Sequence, residues 1–320
     1  MIKGFDMFCG AGGSSAGAQA AGVKVVAGAD MCVTAAETFA ANFPDSHVVP
    51  RRLEDISLGS LKRRIGKIDL LLASPECTSH TCAKGGAPRD EKSRATAMLV
   101  IEYARALCPR WLILENVVHM RPWSRYGELK SALQSLGYHL NEHVLDSADF
   151  GVAQRRRRLF LVGDRKRQPV GIVRKHPGPR KSAKSVLDPA GVWKTSRLFD
   201  KKRARATLER AERGFQKLGK RASFLLVYYG NDGSGGWQPL DRPLRTITTI
   251  DRFGLVEHDG KEPRMRMLQV PELKRAMGFD DDFQLPIGTR RDRIRLLGNG
   301  VCPPVMKAVV ESLLTSSGTK

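Results

Sequence analysis

Cys77 is the residue from which covalent chemistry would start. It stands in Ala73-Ser74-Pro75-Glu76-Cys77-Thr78-Ser79-His80, directly after the apolar run Ile68-Asp69-Leu70-Leu71-Leu72-Ala73. A short apolar run ended abruptly by Ser-Pro reads as a buried parallel strand whose C-terminal end opens into a crevice. A cysteine there is a nucleophile only as the thiolate, a few per cent of the population at an unperturbed pKa near ~8.5. A second strand, Arg110-Trp111-Leu112-Ile113-Leu114, delivers Glu115-Asn116-Val117, so a carboxylate and a thiol converge on one crevice. Gln154-Arg155-Arg156-Arg157-Arg158 runs straight into a further core strand, Leu159 to Val162, which points some of these guanidinium groups at the edge of the site. No metal is expected. Cys77, His80 and Cys82 lack a fourth ligand at zinc spacing, and His139 and His143 share one face of a strand pattern without helical metal geometry.

These groups need elements to hold them. Phe5-Asp6-Met7-Phe8-Cys9-Gly10-Ala11-Gly12-Gly13-Ser14-Ser15 reads as a strand entering a glycine turn, continued by a helix from Ala16 to Ala21. Backbone N–H groups at that helix N-terminus face whatever ligand lies there. The spacing Gly10-x-Gly12-Gly13 departs from the dinucleotide fingerprint, and no Lys-Ser/Thr follows to make a P-loop, so a carboxylate or adenosyl ligand fits better than a pyrophosphate. The next strand, 23–29, ends in Asp30, where a doubly wound fold hydrogen-bonds ribose hydroxyls; position alone does not separate this from a helix-capping role. Asp55-Ile56 closes a third segment with an acceptor and an apolar wall. Helices are expected over 33–42 and 93–107. The fold class is α/β: a doubly wound, mostly parallel Rossmann-like sheet with a second, smaller domain.

The composition changes from about Arg165 to Lys, Arg, Pro and Gly, which marks a domain boundary. Beyond it the pattern predicts a helix between Thr195 and Lys220 with Leu208, Ala211, Phe215 and Leu218 on one face, and a strand over Phe224 to Tyr229. A helix closed by Gly278 and a last helix after Pro303-Pro304 follow. The chain carries 54 Lys+Arg against 33 Asp+Glu, a net charge of +21, which favours a polyanionic partner: nucleic acid first, an anionic membrane second. With no run of ~18 apolar residues and no signal-peptide pattern, an intracellular protein without a membrane span is expected. Six cysteines with no CxxC pair suit a reducing compartment.

Six pieces stand in one order along the chain: Asp6 to Gly13, the Cys77 loop, Glu115-Asn116-Val117, Gln154-x-Arg156-x-Arg158, Arg242-Pro243 with Thr246-Ile247-Thr248, and Gly298-Asn299-Gly300-Val301. In these the sequence resembles the DNA (cytosine-5)-methyltransferases of bacterial or phage type. It departs from their usual Pro-Cys-Gln: Glu76 holds the proline place, Thr78 the glutamine place, and Pro75 is one residue upstream. A free carboxylate beside Cys77 would raise the thiol pKa, so Glu76 is expected to face away or to be tied by an arginine.

The resemblance implies a catalytic domain over 1–166, a small target-recognition domain over 167–291 and a returning segment over 292–320. It implies that Cys77 adds to C6 of a flipped-out cytosine while Glu115 engages the exocyclic amine and N3. Arg158 would hold the base and its phosphate, and Arg156 would support Glu115 and the loop. S-adenosylmethionine, leaving as S-adenosylhomocysteine, would be held by Phe8, Gly10, Ala11, Gly12, Gly13, Asp30, Met31, Asp55, Ile56 and Asn299. Double-stranded DNA would be met by Thr78, Gln154, Arg155 and Arg242. A monomer in the cytoplasm of a bacterial or phage-infected cell is the expected context. The alternatives are an RNA cytosine-5 methyltransferase on the same scaffold and a catalytically silent DNA-binding regulator.

Overall fold

Short apolar runs become parallel strands when helices cover both faces of a sheet, and the first part of this chain alternates accordingly. The computed structural model describes residues 1–76, 95–172, 178–229, 233 and 235–315; Cys77 and Thr78 lie outside them. In chain order the elements are β1 (Lys3–Met7), α1 (Gly13–Ala20), β2 (Lys24–Ala29), α2 (Val33–Asn42), β3 (His47–Val49), α3 (Leu58–Ile65), β4 (Leu70–Ala73), α4 (Leu99–Leu107), β5 (Trp111–Asn116), α5 (Tyr126–Ser135), β6 (His139–Asp146) and β7 (Arg157–Asp164). The strands order as β3-β2-β1-β4-β5-β7-β6. Those from β3 to β5 run parallel, while β7 is antiparallel to both β5 and β6. This is the doubly wound, mostly parallel sheet expected from the sequence.

Side chains alternate between the two faces. Phe5, Met7, Leu71, Leu112 and Leu114 pack with Leu61 of α3, Tyr103 of α4 and Leu129 of α5. Leu70, Leu72, Trp111, Ile113, Phe160 and Val162 turn the other way, into a cluster shared with Ala18 of α1 and Phe39 of α2.

A second sheet follows, built from β8 (Ser196–Arg197), β9 (Phe224–Val227), β10 (Trp237–Pro239), β11 (Phe253–His258) and β12 (Pro263–Met267), in the order β10-β9-β11-β12-β8. Helix α6 (Arg205–Leu218) covers one face through Ala211 and Phe215, packed with Phe224, Leu226, Val256 and Met265. Leu225, Val227, Phe253 and Leu255 on the other face join the cluster that covers the first sheet, so one continuous core spans both sheets. The sequence pattern places this helix too early. Ser196–Arg197 are taken by the sheet edge, and Leu218 is 38% exposed where Gly219, at φ 99°, ends the helix.

The chain closes with α7 (Val270–Ala276), α8 (Arg290–Asn299) and α9 (Pro303–Thr315). Contact with the first sheet's helices resumes before 292: the Asn42 side chain donates to the Gln284 carbonyl and accepts from its N–H, at 2.8 and 2.7 Å. Helix α9 lies against α1, where a Cβ on Gly17 would come within 2.5 Å of the Pro303 carbonyl oxygen. No helix among the described residues is long and apolar enough to cross a membrane.

Candidate active site

Ser74 and Glu115, at the C-terminal edge of the first sheet, share one face because strands have a period of two. Ala73 pairs with Met7 on one side and Leu114 on the other, so Ser74 falls level with Glu115. Glu115 is buried, with the Arg158 Nε 3.2 Å from its Oε1. Burial raises the Glu115 carboxyl above the ordinary glutamate range, against the opposing charges of Arg158 and Arg156. A carboxyl whose pKa is raised holds its proton more readily than an ordinary glutamate, which suits it to donating one. Its neighbour Asn116 is buried and accepts from Val117 N–H at 2.8 Å, which fixes the amide so that its nitrogen donates to the Pro75 carbonyl at 3.2 Å.

A cradle lies one strand away. Phe8, Gly10 and Gly12 all have left-handed backbones, at φ 57, 53 and 102°. The glycines there serve different ends. A Cβ on Gly12 would sit 2.3 Å from Phe43, and one on Gly13 would sit 2.3 Å from the Val301 carbonyl oxygen. Around Gly10, by contrast, a Cβ would meet nothing within 4 Å, so the backbone there is open to a ligand. The Asp30 carboxylate accepts from Gly10 N–H at 2.9 Å and Cys32 N–H at 2.8 Å, bracing the turn while keeping lone pairs for other donors. Met31 beside it is 56% exposed, an uncovered apolar surface at the rim. Phe8 and Ile56 are half-buried, Asp55 is exposed and Ala11 is buried. Asn299, exposed, ends α8 two residues before Val301, which touches Gly13. An open backbone at a helix N-terminus, a carboxylate beside it and an apolar rim fit an adenosyl ligand with an amino-acid tail.

Two members of the arginine run are buried more deeply than their sequence suggests. Gln154, expected to face DNA, is completely buried: its carbonyl accepts from Ile247 N–H at 2.8 Å, and Gln154 bridges to Leu244. Arg156, expected to support Glu115 and the loop, is 3% exposed and donates to the carbonyls of Ile247, Gly298 and Gly300 at 2.9, 2.7 and 3.0 Å. It clasps the Ile247 carbonyl and the Gly298–Gly300 turn together, and its charge, with that of Arg158, opposes the rise in the Glu115 pKa, while the close ion pair to Glu115 is made by Arg158. The reason is topological, because the segment 244–247 lies along residues 153–156, just ahead of β7, and covers them. Arg155, with a side chain 62% exposed, and Arg242, exposed, do lie at the surface.

Residues that motif spacing did not single out complete the site. Asp6 is fully buried, its Oδ2 accepting from Ser15 Oγ at 2.6 Å. Burial pushes its carboxyl up to about 7, with the charge of Asp30 adding to the rise and the Ser15 hydrogen bond opposing it. Its Oδ1 has no hydrogen-bond partner among the described residues. Ser14, Ser74 and Asn116 also line this edge; for Ser74 the one signal available was a polar residue on the face that Leu70 and Leu72 make apolar.

The family of C-5 cytosine-specific DNA methylases matches residues 2–315. The chain belongs to that family. Methyl transfer to cytosine in DNA is therefore the reaction that this edge of the sheet must serve. The methylase is 28% identical to the type II methyltransferase M.NlaX of Neisseria lactamica, with 98% of this chain and 96% of that protein covered. It is 27% identical to M.SacI of Streptomyces achromogenes, covering 92% and 85%. Among solved structures, a protein described as a DNA modification methyltransferase encoded within an E. coli prophage superposes with a TM-score of 0.73 over 100% of both chains, at 20% identity. A mutant DNMT2 of Spodoptera frugiperda gives 0.71 over 98% of this chain and 100% of its own, at 16% identity. At those identities the likeness is one of fold.

Proposed function

We propose that this methylase methylates C5 of a flipped-out cytosine in double-stranded DNA through a covalent bond between Cys77 and C6. What supports the reading is the buried Glu115–Arg158 pair, whose Glu115 is level with Ser74, the residue three places before Cys77 in the chain. Cytosine C5 is too weakly nucleophilic to be alkylated directly. Addition of the Cys77 thiolate to C6 pushes the C5–C6 electron pair into the ring and makes C5 enamine-like. Glu115 hydrogen-bonds the exocyclic amine and gives its proton to N3, where negative charge would otherwise build up. Arg158 holds the carboxylate that remains and faces the base. Phe8, Gly10, Ala11, Gly12, Gly13, Asp30, Met31, Asp55, Ile56 and Asn299 would hold S-adenosylmethionine, whose sulfonium would supply the methyl group to C5 and leave as the thioether S-adenosylhomocysteine. Loss of the C5 proton to water and return of the N3 proton to Glu115 then expel Cys77 as the thiolate and restore the ring.

The target base is inside the stack, so it must be flipped at a cost of about a few kcal/mol, offset by arginine contacts to the displaced phosphate. Arg155 and Arg242 are placed on the DNA side of the site, and the second sheet, between the boundaries near 166 and 291, is assigned to target recognition. The test is incubation of the enzyme and methyl-labelled S-adenosylmethionine with duplex DNA carrying 5-fluorocytosine. Fluorine cannot leave as a cation, so the adduct persists on a denaturing gel. A labelled adduct is expected with wild type and not with Cys77→Ser. No adduct on duplex, with an adduct on the corresponding RNA, would move the substrate to RNA. No adduct on either, with DNA binding intact, would leave a silent DNA-binding protein.

A further inference from the structure

The edge strand β6 is bordered by two stretches of chain that carry cations and no anions. Residues 165–172 and 178–184 contain Arg165, Lys166, Arg167, Arg180, Lys181 and Lys184 and no Asp or Glu. Both stretches are anchored. Near the start of β6 the Gln168 side chain donates to the Leu140 carbonyl at 2.7 Å, and Asn141 donates to the carbonyl of buried Pro169 at 3.0 Å. Past the end of β6, Arg180 donates to Asp149 at 2.6 Å, and the N–H groups of Ala183 and Lys184 donate to the Arg242 and Leu240 carbonyls at 2.8 and 3.0 Å. Lys166, Lys181 and Lys184 stay exposed on these fixed backbones.

A basic run is by default a solvated face, and two observations set these stretches apart. The first is the lack of acids. Helix α6 is also basic, but it interleaves Glu209 and Glu212 with its arginines and ties Arg205 to Glu209 at 2.9 Å. The second is place. The stretch 178–184 is hydrogen-bonded to Arg242, and Arg155 N–H donates to the Leu244 carbonyl at 2.7 Å, so the cations continue outward from the two exposed arginines assigned to DNA. At about 3.4 Å per residue the eight residues of β6 span roughly 25 Å, the length of about seven base pairs. Resting on the duplex substrate proposed above, we propose that the two stretches form a phosphate track for the DNA flanking the target, which turns from the catalytic edge to lie along β6. The track reads no bases and adds affinity only where the duplex is long enough to reach it.

The experiment measures the slope of log affinity against log salt on duplexes of about 12 and about 30 base pairs. Wild type is compared with the triple variant Lys166→Gln, Lys181→Gln, Lys184→Gln and with its charge-keeping counterpart Lys166→Arg, Lys181→Arg, Lys184→Arg. Each phosphate contact is worth roughly 0.9 in slope, so the Gln variant should lose about 2 to 3 on the longer duplex and less than about 1 on the shorter. The Arg variant should keep both slopes. Arg63→Gln, Arg64→Gln, Lys67→Gln removes the same charge at the end of α3, beside the opposite edge strand β3, and should change either slope by less than about 1. Dyes on the two ends of the longer duplex should draw together on binding wild type or the Arg variant, and not on binding the Gln variant. Equal losses on both duplexes, a loss matched by the α3 variant, or a Gln variant that keeps the wild-type slope and dye distance would each overturn the proposal. A Gln variant that keeps the long-duplex slope but no longer binds vesicles of anionic phospholipid would turn these lysines toward a lipid surface and overturn it as well. Failure of the underlying reading shows separately: a wild type that binds neither duplex and traps no adduct on 5-fluorocytosine DNA removes the duplex substrate and the track with it, whereas trapping without any length-dependent loss removes the track alone.

Discussion

Glu115 is pulled two ways, upward by burial and downward by the guanidinium of Arg158 at 3.2 Å, and burial prevails. An acid that must be protonated to work keeps its activity below its pKa and loses it as pH rises through that value. Removing the opposing charge with Arg158→Met should move the alkaline limb of the kcat profile to higher pH, on an activity lowered about 10-fold or more because the base loses a contact. A limb that stayed put or moved down would mean that Glu115 is not the titrating acid. Asp6 offers a stability counterpart. Its folded carboxyl, at about 7, lies above its unfolded value of 3.8, so the folded state holds the proton more tightly. Stability from this group is complete below pH ~4 and drains away as pH rises to about 7, by up to a few kcal/mol. Asp6→Asn removes the titration while keeping an acceptor for Ser15. Its melting temperature relative to wild type should therefore climb between pH 4 and pH 7.5, and a constant difference across that range would refute the assignment.

At the scale of elements, a buried ion pair joins β12 of the second sheet to α7. Glu272 in α7 receives two Arg266 hydrogen bonds at 2.7 Å, with the N–H groups of Asp188 and Gln269 at 2.9 and 2.7 Å, and is fully buried. Such a pair is strongly destabilising to break because the partner's charge is stranded. Glu272→Gln should cost about 3–5 kcal/mol in urea unfolding, whereas the double replacement Arg266→Met, Glu272→Leu should recover much of it. A single variant within 1 kcal/mol of wild type would show that water reaches the site. Little of this latch could be read beforehand, because residues 257, 266, 272 and 188 are brought together by strand register and not by spacing. The same reason explains Gln154. Its run enters a core strand, as the pattern says, but the segment that covers it lies about ninety residues further on. By contrast, β1, β2, β4 and β5 were legible because each is a short apolar run with a polar stop, and the stops carry the site. Ser14 and Ser74 escaped notice since a hydroxyl pair sixty residues apart leaves no local mark.

At the scale of the whole molecule, charge sets how the protein meets its substrate. A net charge of +21 draws DNA to the surface without choosing where it sits, and the choice depends on which arginines are not already committed inside. Arg156 is spent on carbonyls and Arg158 on Glu115, while the Arg155 side chain, 3.6 Å from Asp146 Oδ2, is still 62% exposed and Arg242 is exposed. If the duplex lies across the C-terminal edge of the first sheet, these two neutralise phosphates directly. Each phosphate contact adds roughly 0.9 to the slope of log affinity against log salt, so Arg155→Gln with Arg242→Gln should lower that slope by about 2. Lys201→Gln with Lys202→Gln removes the same charge ahead of α6, which lies on the face of the second sheet turned away from the shared core. That pair should reduce the slope by much less. Equal losses from the two pairs would mean that DNA is held by diffuse charge alone. A larger loss from the lysine pair would place the duplex along α6, away from Glu115, and would require it to bend back to present a cytosine to Cys77.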